Sequence, residues 1–108
     1  MSRINGRFYF KLQTSGNLTG EFSNYLSESP STESADRCCS QEEGYAGVYL
    51  STWQEYEIAC FANLIIEYKP NTNNTIYSLI WVSENEDIYR GEGMLCDNIL
   101  IGDYHSVD

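Results

Sequence analysis

At 108 residues the chain has the size of one domain, and a domain of that size buries roughly two thirds of the surface its unfolded form exposes. Apolar residues at 42% and aromatics at 14%, with nine tyrosines, exclude a disordered tail or a low-complexity linker. Sixteen acidic against six basic side chains give a net charge of -10, which repels nucleic-acid backbones and anionic membranes and favours a basic protein or a cationic ligand.

In chain order, the first element is marked by Phe8, Phe10 and Leu12 on one face and Arg7, Lys11 and Gln13 on the other, the period of two of a half-buried strand. After Ser15-Gly16-Asn17, a turn sequence, Leu18, Gly20, Phe22 and Leu26 alternate with Thr19, Glu21 and Ser23. Residues 27–43 are polar, acidic and poor in branched side chains, and they predict a long loop with one helical turn near Ser34 to Cys39. Strands resume over 45–53 and 56–68. In the second of these Tyr56, Ile58, Cys60, Ala62, Leu64, Ile66 and Tyr68 share a face, opposite Glu57, Asn63 and Glu67. Further strands are predicted over 75–82, 88–95 and 98–105, joined by turn chemistry at Pro70-Asn71-Thr72-Asn73, Glu84-Asn85-Glu86 and Cys96-Asp97-Asn98. About seven or eight antiparallel strands in an up-and-down meander result, because connections this short cannot make a parallel crossover.

No segment predicts a helix long enough to cover such a sheet, so its apolar face must be buried by closure into a barrel or by stacking as a sandwich. Glycines at 20, 47, 91, 93 and 102 sit among strand-forming residues where sharp bends would fall, which favours an all-β closed or nearly closed barrel, with a β-sandwich as the alternative. The whole of 1–108 reads as one such domain.

Three segments have a recognisable rhythm: Tyr77-Ser78-Leu79-Ile80-Trp81, Tyr89-Arg90-Gly91-Glu92-Gly93-Met94-Leu95 and Leu100-Ile101-Gly102-Asp103-Tyr104. This rhythm resembles that of the small calycin-like barrels, the lipocalin and avidin group. Leu18-Thr19-Gly20-Glu21-Phe22-Ser23-Asn24 is similar to the opening strand of avidins, in which an asparagine and a following serine contact the ligand; the matching positions are Asn24 and Ser27. The likeness covers seven residues there and a looser pattern over the last thirty. It departs from the family in having a strand ahead of the Leu-Thr-Gly segment and no counterpart to the later ligand-stacking tryptophans. The resemblance implies a closed antiparallel barrel with a cavity at one mouth, and it does not imply biotin as the ligand.

Catalytic signatures are sparse, and no enzyme is expected. The one histidine, His105, lies three residues from the end, where a frayed tail would hold no imidazole in place for acid-base work. Cys38, Cys39, Cys60 and Cys96 lack the paired spacing of a zinc site; Cys60 reads as a small core residue, and the adjacent pair as an incidental loop feature or a thiol-reactive one. Glu84, Glu86 and Asp87 cluster in a turn without the ligand spacing of a calcium loop, and Gly91-Glu92-Gly93 does not open a phosphate-binding helix. No metal and no cofactor is expected.

Aromatic side chains are the best candidates for a site. Parity places Tyr45, Tyr49 and Trp53 on one face and Tyr77 and Trp81 together; such residues line cavities or fill cores because each joins an apolar body to a polar tip. The ligand-binding candidates are therefore Asn24, Tyr45, Tyr49, Trp53, Tyr77 and Trp81. The opening residues MSRINGRFYFKL hold no apolar run of the roughly 7 to 15 residues a secretion signal needs, and no stretch approaches a membrane span, so the expected location is cytoplasmic. The expected function is a binding barrel that takes a small, partly apolar ligand in its mouth. The alternative is an acidic interaction or inhibitor protein, of the immunity type, that caps a basic partner protein. A homodimer is a further expectation should the sheet leave open edges.

Overall fold

A computed structural model describes residues 3–27, 29–38, 44–55 and 57–107. Eight strands follow one another: β1 Asn5–Leu12, β2 Leu18–Asn24, β3 Ser31–Arg37, β4 Gly47–Glu55, β5 Ile58–Tyr68, β6 Ile76–Ser83, β7 Glu86–Cys96 and β8 Ile99–Ser106. Each pairs antiparallel with the next, and β8 returns to β1, so the sheet is a closed up-and-down barrel rather than a sandwich. No helix occurs among the described residues, and none is long and apolar enough to cross a membrane.

The turns carry the backbone geometry that tight hairpins need. Glu84 and Asn85 (φ 53° and 66°) join β6 to β7, and Asp97 and Asn98 (φ 51° and 67°) join β7 to β8. Two successive residues with positive φ between paired flanks, Ser83 with Glu86 and Cys96 with Ile99, make the two-residue hairpins whose twist matches that of the strands. The longer β5–β6 connection places Asn71, Asn73 and Asn74 at positive φ and is closed by Lys69 N–H donating to the Ile76 carbonyl at 2.9 Å.

One segment departs from the sequence-based expectation. Within the polar stretch 27–43, expected to be a loop with a helical turn near Ser34 to Cys39, Ser31–Arg37 is instead β3, paired with both β2 and β4. Its inward residues are Glu33, Ala35 and Arg37, so it presents no row of large apolar side chains. The extra strand also satisfies a parity rule. In an up-and-down sheet the first and last strands run antiparallel only when their number is even, and β1 meets β8 antiparallel. Residues 39–43 lie outside the described set. His105 is likewise not on a frayed tail, since it stands in β8 opposite Asn5 and Arg90.

An interior of eight strands is just wide enough to be filled by side chains. Here Phe10, Leu18, Tyr49, Leu64, Ile66, Leu79 and Leu100 are fully buried and fill it. In β5 the predicted inner face holds for Ala62, Leu64 and Ile66, but Ile58 and Tyr68 project beyond the core at the two ends of this long strand. Glycine makes the tight coiling possible at two places. A Cβ on Gly20 would stand 1.9 Å from the Tyr9 carbonyl oxygen, and one on Gly102 would stand 1.9 Å from that of Glu92. Both strands press their backbones against a neighbour where the sheet bends, and Gly102 faces Gly93 across the β7–β8 pair.

Candidate functional site

The two ends of the barrel differ. One end, where β1, β3, β5 and β7 begin, opens as a mouth; the other is a floor.

The floor is built on Arg37. Its guanidinium lies 4.8 Å from the Tyr49 ring centroid and donates to the carbonyls of Gly16 (3.0 Å), Ala46 (2.9 Å) and Gly44 (2.5 Å) and to the Tyr49 hydroxyl (2.8 Å). Tyr49 in turn donates to the Tyr45 carbonyl at 2.7 Å. The Tyr45 hydroxyl accepts from Leu12 N–H and lies within reach of the carbonyls of Phe10 and Asn98. Tyr77 packs between Tyr45 and Tyr68, with ring centroids 6.1 and 4.9 Å away, and burial holds its phenol up to about 12. Three of the six sequence-predicted candidates, Tyr45, Tyr49 and Tyr77, thus belong to this closed end.

The other three, Asn24, Trp53 and Trp81, come together at the mouth with Tyr89, another of the strand aromatics, and with residues that sequence reasoning missed: Phe8, Phe22, Glu33, Glu55 and Tyr104. The rings form the walls. Trp81 stands 5.9 Å from Phe8 and 6.2 Å from Tyr104, and Tyr104 is edge-on to Phe22 and Tyr89 at 6.2 and 5.6 Å. The volume left at the centre is about 30 Å³, room for water or a small head group. A bulge sets one wall. Trp81 pairs with Tyr89 but Val82 pairs with Asp87, so Ile88 is the extra residue, and it and Tyr89 both pack against the core.

Glu33 supplies the chemistry. It is 5% exposed, and its Oε2 accepts from the Ser51 hydroxyl and, at 2.8 Å, from the Trp81 indole N–H. Among the described residues no side-chain nitrogen or oxygen sealed from solvent lacks a partner. No side chain donates to Glu33 Oε1, so that oxygen is the one that meets the pocket. Burial pushes the carboxyl up from its ordinary value, against the opposing pull of the Ser51 and Trp81 donors. Glu55 stands at the rim, where its Oε1 accepts from Trp53 Nε1 at 3.1 Å and lies 3.5 Å from the Tyr89 hydroxyl. Burial, then the Glu55 charge, lifts the Tyr89 phenol to about 12, so it stays a neutral donor. Asn24 is committed on both sides: its amide N–H donates to the Tyr104 hydroxyl at 2.9 Å, and its oxygen accepts from Leu26 N–H. Ser27, the other position carried by the avidin resemblance, turns its hydroxyl back onto the Asn24 backbone.

Of the described cysteines and the histidine, Cys60 alone borders this cluster, next to Trp53, Glu55 and Tyr89. Cys60 is half-buried beside Trp53 in the β4–β5 pair, its thiol pushed up by burial; Cys96 ends β7; Cys39 lies outside the described residues. His105 Nδ1 lies 3.1 Å from the Ser106 carbonyl. Among the described residues no three His, Cys, Asp or Glu side chains gather as metal ligands.

The fold and the mouth define a class: a closed, eight-stranded, antiparallel up-and-down barrel with its inner end filled and its outer end lined by rings and carboxylates. Comparison with protein-family models, with curated proteins and with solved structures gave no match.

Proposed function

We propose that this protein is a non-enzymatic binding protein that takes a small, partly apolar ligand into the mouth of its barrel. The observation that carries this reading is Glu33, a carboxylate 5% exposed that keeps one oxygen toward a pocket walled by Trp81, Tyr104 and Phe8. A few polar groups converging on an apolar concavity are the usual form of a small-molecule site. Nothing in this reading requires a cofactor or a metal.

Both tryptophans of the chain, Trp53 and Trp81, line this mouth, so intrinsic fluorescence reports on it alone. A ligand released on denaturation in native mass spectrometry, and returned with a saturable change in tryptophan emission, is the expected result. Replacing Trp81 by Phe should weaken that binding while the fold persists.

A second reading has its own support. The interior below the mouth is filled and the chain carries a net charge of -10, as suits an acidic interaction protein that caps a basic partner. A steep fall in association rate with added salt would favour it, whereas uptake of a small apolar ligand should change little with salt.

A further inference from the structure

Among the described residues two carboxylates line the mouth and no basic side chain does: Glu33 and Glu55 share the pocket with six aromatic residues and one amide. The ion pairs formed by the described residues, Lys69 with Glu92 and Arg90 with Asp87, lie elsewhere on the barrel. A carboxylate withdrawn from water without a counter-charge is costly, and the cost is removed by a proton or by a cation. The protein supplies donors to one Glu33 oxygen only, from Ser51 and Trp81. The pocket beside the free oxygen is lined by aromatic residues, whose ring faces themselves attract cations.

Resting on the reading of the mouth as the ligand site, we infer that the ligand's recognised group is a primary alkylammonium, bound to Glu33 Oε1, enclosed by the rings of Trp81 and Tyr104 and screened at the rim by Glu55. Three features select this chemistry. An anion would meet two carboxylates. A neutral head would leave Glu33 without a counter-charge. A trimethylammonium has no N–H for Oε1 and is bulkier than the space of about 30 Å³ suits.

The binding is coupled to protons. The groups facing Glu33 are Ser51 and Glu55 from β4, Trp81 from β6, Tyr89 from β7, Tyr104 from β8 and Asn24 from β2. Of these only Glu55 brings another charge, since burial raises both the Tyr89 and Tyr104 phenols. Acidification through the raised Glu33 pKa neutralises the carboxyl and should release the amine.

An ammonium head can come from a free amine or from a lysine side chain of another protein, and one titration series separates them. Tryptophan emission is followed as the protein is titrated with pentylammonium, with the end-capped peptide acetyl-Gly-Lys-Gly-amide, with pentanol and with pentanoate, for the wild type and for Glu33→Gln. Glutamine keeps an oxygen for the Ser51 and Trp81 donors, and circular dichroism checks its fold. The expected result is saturable binding of pentylammonium or of the lysine peptide, weaker by about tenfold or more in Glu33→Gln and on acidification. Preference for pentylammonium assigns a free amine, and preference for the peptide assigns a protein lysine. Pentanol binding as tightly as pentylammonium overturns the ammonium assignment and leaves the mouth as an apolar site. Tighter binding of pentanoate overturns it too. If none of the four binds the wild type, the ammonium assignment fails; a co-purified ligand that still changes tryptophan emission would then show the mouth reading to hold by itself.

Discussion

At the residue scale, Glu33 has opposite consequences for stability and for binding. Its carboxyl is raised in the native state, so over the interval between its ordinary value in the unfolded chain and the higher folded value the native chain holds a proton that the unfolded chain has lost. Stability therefore falls as pH rises through that interval and stays reduced above it. The variant Glu33→Gln should remove this slope and melt higher than the wild type at neutral pH, a comparison that thermal melts at several pH values make directly. A wild type and variant with parallel profiles would count against the raised Glu33 carboxyl in the native mouth. This residue was also the hardest to find from sequence. Glu33 sits in Ser-Thr-Glu-Ser-Ala-Asp-Arg, whose inward positions are an acid, an alanine and an arginine, and hydropathy alternation does not register such a strand. A signal was nonetheless present, because a structureless stretch of that length is unusual inside a small domain.

At the scale of elements, alternation made seven of the eight strands legible, since in β1, β4, β5 and β6 the buried positions recur every second residue. The same parity placed Tyr45, Tyr49 and Trp53 on one face of the chain entering and forming β4, yet a shared face does not say which end of the barrel a side chain reaches. Trp53 lies toward the mouth and Tyr49 toward the floor because β4 runs from floor to mouth. Tyr89 was visible as a strand aromatic, but its face was not, because the bulge at Ile88 shifts the inward phase of β7. The glycines were legible as bends, and three of them, Gly20, Gly91 and Gly102, prove to be close backbone contacts between strands. Substituting Gly102 by alanine would drive a methyl into the Glu92 carbonyl, a clash with backbone that no rotamer relieves. The expected cost is about 1–3 kcal/mol in chemical denaturation, the range for overpacking. An unchanged denaturation midpoint would show that the β7–β8 pair relaxes more easily than its geometry implies.

At the scale of the whole molecule, closure removes the unpaired edges that would have given a reason for self-association through strand pairing. The homodimer expected from open edges loses that rationale, although Val48, Leu50 and Phe61 remain exposed on the outer face of β4 and β5. Closure also makes a measurable statement about the β1–β8 pair, which carries seven paired positions from Asn5–His105 to Lys11–Ile99. Amide exchange in β1 and β8 should be as slow as in β5, because each of these strands is hydrogen-bonded on both sides. Fast exchange confined to β8 would indicate that the barrel opens along that line.

The same pairing bears on how the chain reaches its native state. Ile4 N–H donates to the Ser106 hydroxyl across 102 positions of sequence, and the mouth draws Phe8 from the first strand and Tyr104 from the last. Contacts that distant can form only after nearly the whole chain has been drawn into a ring, an entropic cost incurred before the closing contacts offset it. Such a topology folds slowly for its size, and the binding mouth is among the last features to appear, so a chain interrupted before its eighth strand has most of the sheet but no complete pocket.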